Sequence, residues 1–355
     1  MYIYDALVIS PQATFSEPEW MQQLRVLEGL KYQALEPDYS GSIKPAQLRR
    51  MGKALRMGVG CGAVLLENHG PVDGILIGTS EGGLEGCIQF LNQIVDYDEG
   101  TLTPTNFIQS TPNALAGQLA LMSGCTAYNV THVNRGLSFE NALIDALMLF
   151  EEGKAGRLLV GSVEEISAYN FNIEWAAGNY KEEVLSNGEL LNSGTRGTVA
   201  GEGAALFILD AEAHPGAVRV ADVLTRTAPE AGEMQHLCEQ LLRRNGLEAG
   251  EVDAVLLGVN GDAEGDAGYY QVAEACFSHS AWWAFKPWVG EYPTATGFAL
   301  KMAFDALQGK EVPDEMVLRK GQGLAQTVLI YNHYKNFQHS LILLKREGAV
   351  NESSP

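Results

Sequence analysis

The sequence predicts an α/β fold built from two successive βαβ-type halves. Three observations carry that reading. Short, largely apolar runs at Val72–Gly78 (VDGILIG), Arg157–Val163 (RLLVGSV) and Val252–Leu257 (VDAVLL) have the pattern of strands buried on both faces, as in parallel sheets. Helix-like segments alternate with them. The same grammar returns in the second half with no low-complexity linker, so 1–212 and 213–355 are expected as the two halves of one pseudo-duplicated body.

Taken in order, Tyr2–Ile9 alternates and is rich in β-formers, which predicts a strand. Thr14–Gly41 is polar and irregular. A helix is expected to start near Ser42, with Pro45 in its first turn and Leu48, Met51, Leu55 and Val59 along one apolar stripe. The strand at Val72–Gly78 runs into Thr79–Gly86 (TSEGGLEG). That turn lacks the Lys-Ser/Thr of a P-loop and carries Glu81 and Glu85, so it reads as a close-packed strand-to-helix turn rather than a phosphate cradle. Thr111–Ser123 predicts a helix, Thr126–Val133 a strand and Leu137–Glu152 a helix whose inner face is Ala142, Leu143, Ala146, Leu147 and Phe150. After Arg157–Val163, residues Glu165–Val199 look irregular, and Gly201–Asp210 closes the half with a strand. The second half reads as strand Val218–Leu224, helix Glu233–Arg244, strand Val252–Leu257, an acid- and glycine-rich turn Gly258–Gly268, and strand Ala281–Phe285. Helix Thr294–Leu307 and strands Ala325–Tyr331 and Ser340–Lys345 follow.

Composition narrows the function. With 24 basic and 44 acidic residues the net charge is −20, which disfavours nucleic acid and anionic membranes as partners. Five cysteines (Cys61, Cys87, Cys125, Cys238, Cys276) are scattered without paired spacing, which argues against a disulfide framework and against a zinc site. The first basic residue is Arg25, so no signal peptide is expected and the location is read as cytoplasmic. The longest uncharged run, Thr101–Asn134, is broken by Pro104 and Pro112 and reads as a deeply buried or interface-forming stretch rather than a membrane span.

The strand-to-helix turn at Asn134-Arg135-Gly136 is the place where a nucleophile would gain from unpaired N–H groups and the helix dipole. It offers no thiol. His132 and Ser138 flank it and would make a rebuilt Ser-His pair; the plainer reading is a strand residue at a dimer contact and a helix-start hydroxyl. Asp262, Glu264 and Asp266 cluster near Asn260, but without full EF-hand spacing they read as a solvated loop. Trp282, Trp283, Trp288 and Tyr292 crowd one region and read as core or interface packing, with an apolar-chain pocket as the sharper alternative. No metal and no cofactor is expected.

The order of motifs resembles β-ketoacyl synthases of the thiolase superfamily. The matching stretches are Val8–Pro11, Arg49–Met51, Gly74–Thr79 with Gly82–Leu84, Asn113–Gly117, Gly153–Gly161, Gly201–Ala204, Asp253–Gly261, Lys286–Gly297 and Leu341–Arg346. They span nearly the whole chain. The resemblance implies a thiolase-like fold, a five-layer α-β-α-β-α sandwich that dimerises through the strand before the nucleophile turn. It also implies a cysteine that carries the acyl chain and two histidines that assist decarboxylation and stabilise the oxyanion.

This chain departs from the pattern at all three positions. The cysteine position falls on Gly136 or, in the other register, on Asn134, and no cysteine occurs between Cys125 and Cys238. The histidine positions fall on Asn260 and Glu291. The family's glycine-rich gating loop is replaced by Asn332–His339 (NHYKNFQH). Glycine has no nucleophile, and an ionised Glu291 would repel an enolate. The resemblance therefore implies a non-catalytic, chain-length-factor-like subunit pairing with an active ketosynthase in polyketide, aryl-polyene or fatty-acid-like biosynthesis, with the acidic carrier protein docking on the partner. Two alternatives stay open. One is an active acyltransferase or decarboxylase using His132, Ser138, Asn260 or Glu291; the other is a homodimeric scaffold with no acyl ligand.

Overall fold

The structure is a computed structural model that describes residues 1–347 apart from 16, 18, 101 and 103. The first half opens with strand β1 (Tyr2–Ile9), the two-residue β2 (Lys31–Tyr32) and helices α1 (Pro45–Leu48) and α2 (Lys53–His69). Strand β3 (Gly74–Gly78), helices α3 (Leu84–Asp96), α4 (Pro104–Gln109) and α5 (Ala114–Ser123), and strand β4 (Tyr128–His132) follow. Helix α6 (Ser138–Glu151), β5 (Arg157–Glu164), α7 (Ala168–Ala176), the short β6 (Ala200–Gly201) and β7 (Gly203–Asp210) complete it. The second half runs β8 (Val218–Thr227), α8 (Glu233–Arg244), β9 (Ala254–Leu257), α9 (Ala263–Cys276), β10 (Ala281–Ala284) and α10 (Lys286–Val289). It ends with α11 (Thr296–Leu307), β11 (Val317–Arg319), β12 (Thr327–Tyr334) and β13 (Gln338–Arg346).

The strand order β4-β3-β5-β7-β1 of the first half is repeated as β10-β9-β12-β13-β8 in the second, with β11 added at the outer edge. The sense of pairing repeats too. β3 is parallel to β4 and β5, as β9 is to β10 and β12; the next two pairings are antiparallel in each half. The halves join through two residue pairs between β1 and β8, Tyr2 with Arg219 and Ile3 with Val218.

Successive residues of a strand point to opposite faces, so each sheet half feeds two cores. In the first half Leu76, Leu158, Val160, Phe207 and Leu209 face a central core shared with Phe139, Ala142, Leu143 and Ala146 of α6 and Phe298–Ala303 of α11. Their neighbours Ile75, Ile77, Leu159, Leu206 and Ile208 face outward onto α2 and α5. In the second half Leu256, Ile330 and Ile342 join the central core, while Leu257, Leu329 and Leu341 pack on α8 and α9. The layers are therefore helix, sheet, helix, sheet, helix, as the resemblance implied.

Several sequence expectations need correction. The helix expected from Ser42 is two helices: Pro45 does stand in the first turn of α1, but Gly52 is extended and breaks the run before α2 starts at Lys53. Met51 and Val59 still reach the outer core, with Leu48 and Leu55 at its margin. The stretch read as irregular contains α7, capped by Ser167 and Asn170 in a reciprocal box. The turn expected over Gly258–Gly268 ends early. Helix α9 begins at Ala263 despite Gly265 and Gly268, because Tyr269, Val272 and Ala273 anchor it in the core. The uncharged run is not deeply buried in the isolated chain. Its positions 101 and 103 lie outside the described residues; beyond them Leu115, Ala116 and Leu119 are buried, but Phe107, Ile108 and Leu121 are exposed.

Candidate functional site

The turn between β4 and α6 is closed by side chains from the far end of the chain. Arg135 sits at φ +49, in the left-handed region that side chains other than glycine rarely adopt. The Ser138 hydroxyl donates to Arg135 O and accepts from Asn134 N, both at 2.8 Å, so it caps this turn. The buried Gly136 N–H donates to Gln338 Oε1 at 3.0 Å. Gln338 Nε2 in turn donates to both the backbone and side-chain oxygens of Asn134 at 3.2 Å. Tyr334 packs over Gly136, so that a Cβ at 136 would lie 2.8 Å from Tyr334 Cγ. Tyr334 and Gln338 belong to the β12–β13 hairpin, whose turn uses left-handed Lys335 and Asn336. A backbone N–H that would be free to receive a developing oxyanion is thus already bonded.

Asn260 and Glu291 are brought together. Asn260 Nδ2 donates to Glu291 Oε2 at 2.6 Å, and its Oδ1 accepts from Asp262 N at 3.0 Å, so both ends of the amide are held. The turn under Asn260 is tied by Asp266, which accepts from the N–H groups of Asn260 (2.9 Å) and Gly261 (2.8 Å). Burial pushes the Asp266 carboxyl up to about 6. Glu291 is fixed by backbone bonds to Val199 and Gly201. This pairing requires glycine at 201, where a Cβ would meet Gly290 Cα at 2.8 Å.

Lys286 completes the cluster. Its side chain is fully buried, and its Nζ donates to Glu291 Oε2 at 2.7 Å and to His333 O at 3.1 Å. The His333 ring stacks on Tyr269 at 4.1 Å; its Nε2 donates to Gly265 O, and its Nδ1 accepts from Asn336 N. Burial, reinforced by Lys286, holds His333 well below the usual imidazole range, so it is a neutral, saturated group. An amide, a paired carboxylate and a buried ammonium make a hydrogen-bonding cluster, not a free acid–base pair.

The remaining candidates disperse. His132 Nε2 meets Asp145 at 2.9 Å, beside the Tyr128 hydroxyl on the same carboxylate, and makes no hydrogen bond to Ser138. Asp262 accepts from Gly197 N, Glu264 turns to Arg196 at 3.8 Å, and Asp266 is occupied under the turn, so the three carboxylates diverge. Among the described residues no three His, Cys, Asp or Glu side chains group as a metal site. In the turn Thr79–Gly86, the N–H groups of Ser80 and Glu81 donate to the Glu164 carboxylate, which fills the place an anion would take. Burial pushes Glu164 up to about 8. Trp282, Trp283, Trp288 and Tyr292 are all buried in the cores, and Tyr292 also lines a cavity of about 230 Å³ together with Asn260, Glu291, His333 and Tyr334.

Sequence reasoning missed three residues here. Lys286 stood in the quoted stretch, five residues before Glu291, as a cation in an apolar run. Tyr334 and Gln338 stood in the stretch Asn332–His339 that replaces the glycine-rich loop, but nothing local tied them to Gly136, about 200 positions away.

Residues 19–174 match the profile of the beta-ketoacyl synthase N-terminal domain. No curated protein matches the sequence. The ishigamide ketosynthase/chain length factor superposes with TM-score 0.77 at 13% identity, covering 98% of this chain and 99% of that one. The ketosynthase ApeO in complex with its chain length factor ApeC from Xenorhabdus doucetiae gives TM-score 0.74 at 15% identity, with 98% of each chain covered. A beta-ketoacyl synthase from Burkholderia phymatum STM815 gives 0.75 at 16%, covering 98% of this chain and 100% of that one. The fold is thus the thiolase-like ketosynthase fold over the whole chain. Within it, the resemblance to β-ketoacyl synthases read from the motif order is borne out, in sequence over 19–174 and in fold throughout. Among the described residues no helix is long and apolar enough to cross a membrane.

Proposed function

We propose that this chain is a non-catalytic, chain-length-factor-like companion of an active, cysteine-bearing ketosynthase, working in the cytoplasm on polyketide, aryl-polyene or fatty-acid-like chains. The observation that carries the reading is the sealed turn: Gly136 has no nucleophile, its N–H is bonded to Gln338, and Tyr334 covers it. Asn260 and Glu291, at the positions of the two histidines, are engaged with each other and with Lys286. We read the chain as halves 1–212 and 213–355, of which only the first would carry a nucleophile turn.

A partner is supported by the edge of the sheet. Among the described residues strand β4 pairs only with β3, and its other edge carries no strand. An unpaired edge beside apolar side chains is a template for another strand. Tyr128 and Val133 are exposed there, Leu121 is exposed on the adjoining α5, and Leu91, Val95, Phe107 and Ile108 are exposed on the α3–α4 pair. Carrier-protein docking would fall to the partner, since the net charge of this chain is −20.

The test is co-expression with a cysteine-bearing ketosynthase from the same source, read by native mass spectrometry. A stable one-to-one complex that Val133→Asp abolishes is the expected result. A homodimer that ignores the ketosynthase refutes the pairing. Acylation of the isolated chain by malonyl or acyl pantetheine, seen by intact mass, refutes the non-catalytic assignment.

A further inference from the structure

The cavity beside Asn260 and Glu291 has walls that do not suit an acyl thioester. Seven acidic side chains border it, those of Glu81, Glu164, Glu165, Glu174, Asp262, Glu264 and Glu291; three are matched by cations, Glu174 by Lys335, Glu264 by Arg196 and Glu291 by Lys286. Burial raises the carboxyls of Glu81 and Glu165 and pushes Glu164 up to about 8, so these three hold their protons more readily than free carboxyls and gain from an arriving cation. Glu164 is held by backbone N–H groups. Glu81 forms no ion pair among the described residues; one of its oxygens accepts from Asn170 Nδ2 at 2.6 Å, and the other accepts from no donor among the described residues. A carboxylate in such a place gains when a cation arrives.

A second feature points to a bound molecule. Tyr292 lines the cavity, is 94% buried, and its hydroxyl has no hydrogen-bond partner among the described residues. The hydroxyls of Tyr180 and Tyr334, on the same wall, also lack a partner among the described residues. Tyr180 and Tyr334 are half-buried and the Tyr292 hydroxyl is not walled in by protein atoms, so all three phenols are open to a molecule in the cavity. Their hydroxyl oxygens accept from an ammonium N–H, and their rings attract cations.

We propose that this cavity binds a small organic cation, an alkylammonium or short diamine, with Glu81 as its counter-ion and Tyr292 as its hydrogen-bonding wall. A volume of about 230 Å³ has room for several waters, which suits a chain of a few carbons. The same walls repel a malonyl carboxylate or a phosphopantetheine phosphate. The proposal goes beyond the companion-subunit reading and does not depend on the partner.

Titration calorimetry on the full chain at physiological salt tests it, using 1,4-diaminobutane, the equally long but uncharged 1,4-butanediol, and malonyl pantetheine. Saturable one-site binding of the diamine alone is expected. Glu81→Gln should weaken it about tenfold, the loss of one charge-assisted contact, and Tyr292→Phe several-fold. Thermal unfolding of each variant shows that it is folded, and the tyrosine variant stands in if Glu81→Gln does not fold. Diamine binding that neither variant weakens is condensation on an acidic surface and overturns the proposal. So does binding of malonyl pantetheine in preference to the diamine. Either result leaves complex formation with a ketosynthase, measured separately, untouched.

Discussion

Putting cysteine at Gly136 supplies the thiol that, on the proposed reading, this turn lacks, and the chain is expected to resist it. A Cβ at 136 lies 2.8 Å from Tyr334 Cγ and closer still to Tyr334 Cβ. Ordinary carbon–carbon contacts are about 3.5–4.0 Å, so the β12–β13 hairpin must retreat by roughly an ångström. Overpacking of that kind costs about 1–3 kcal/mol. The retreat also strips the Gly136 N–H of Gln338, and a buried donor left unpaired costs about 1–3 kcal/mol more. An unfolding entropy near 2.1 cal/mol/K per residue gives about 0.7 kcal/mol/K for the whole chain, so the melting temperature should fall by roughly 3–8 °C. Tyr334→Ala should not relieve Gly136→Cys, because the Cβ that collides is still present; Tyr334→Gly should. Asn134→Cys, at an exposed position with one side-chain contact to Gln338, should shift melting by no more than about 1 °C. Scanning calorimetry reads the stabilities, and intact mass after iodoacetamide or acyl pantetheine reads thiol access. A Gly136→Cys variant that melts like the parent and becomes acylated would refute the sealed-turn argument.

Further outcomes follow from the same contacts. Lys286→Met leaves Glu291 without its ammonium in a nearly closed site and should cost about 3–5 kcal/mol, read as a lower urea midpoint. Glu140 is fully buried on α6 with Ser340 donating to it at 2.8 Å, and burial pushes it up to about 7 from 4.5, as it pushes Glu164 to about 8. The folded chain therefore keeps protons that the unfolded chain has lost, so the stability these two groups add is full below pH 4.5 and falls as pH rises through about 7 to 8. Glu140→Gln should flatten that decline by a few kcal/mol in urea titrations between pH 5 and 8, and an unchanged slope would contradict it. Gln338→Leu unpairs Gly136 N–H and two Asn134 oxygens together and should lower stability by about 1–3 kcal/mol, with faster amide exchange at Gly136 as the local reading.

The periodicity of the chain pointed to an α/β body of two halves, while the five-layer arrangement was only what the family resemblance implied. Runs such as Arg157–Val163 and Val252–Leu257 are apolar at every step because both faces of their strands are covered, and that is visible without coordinates. That no cysteine stands between Cys125 and Cys238 was equally legible, because the absence of a residue type is a property of the string. Helix α9 was not, since glycines 265 and 268 argue locally against a helix, and the burial of Tyr269 that overrides them is a tertiary fact. Nor was the ammonium of Lys286 against Glu291 and His333 O, or the closing of the turn by Tyr334 and Gln338. The contacts of Tyr334 and Gln338 with Gly136 join elements that only the return of the last hairpin across the first half brings within reach. Residue identity sets what chemistry a chain lacks; which surviving groups meet, and what they then block, is decided by packing between residues far apart in sequence.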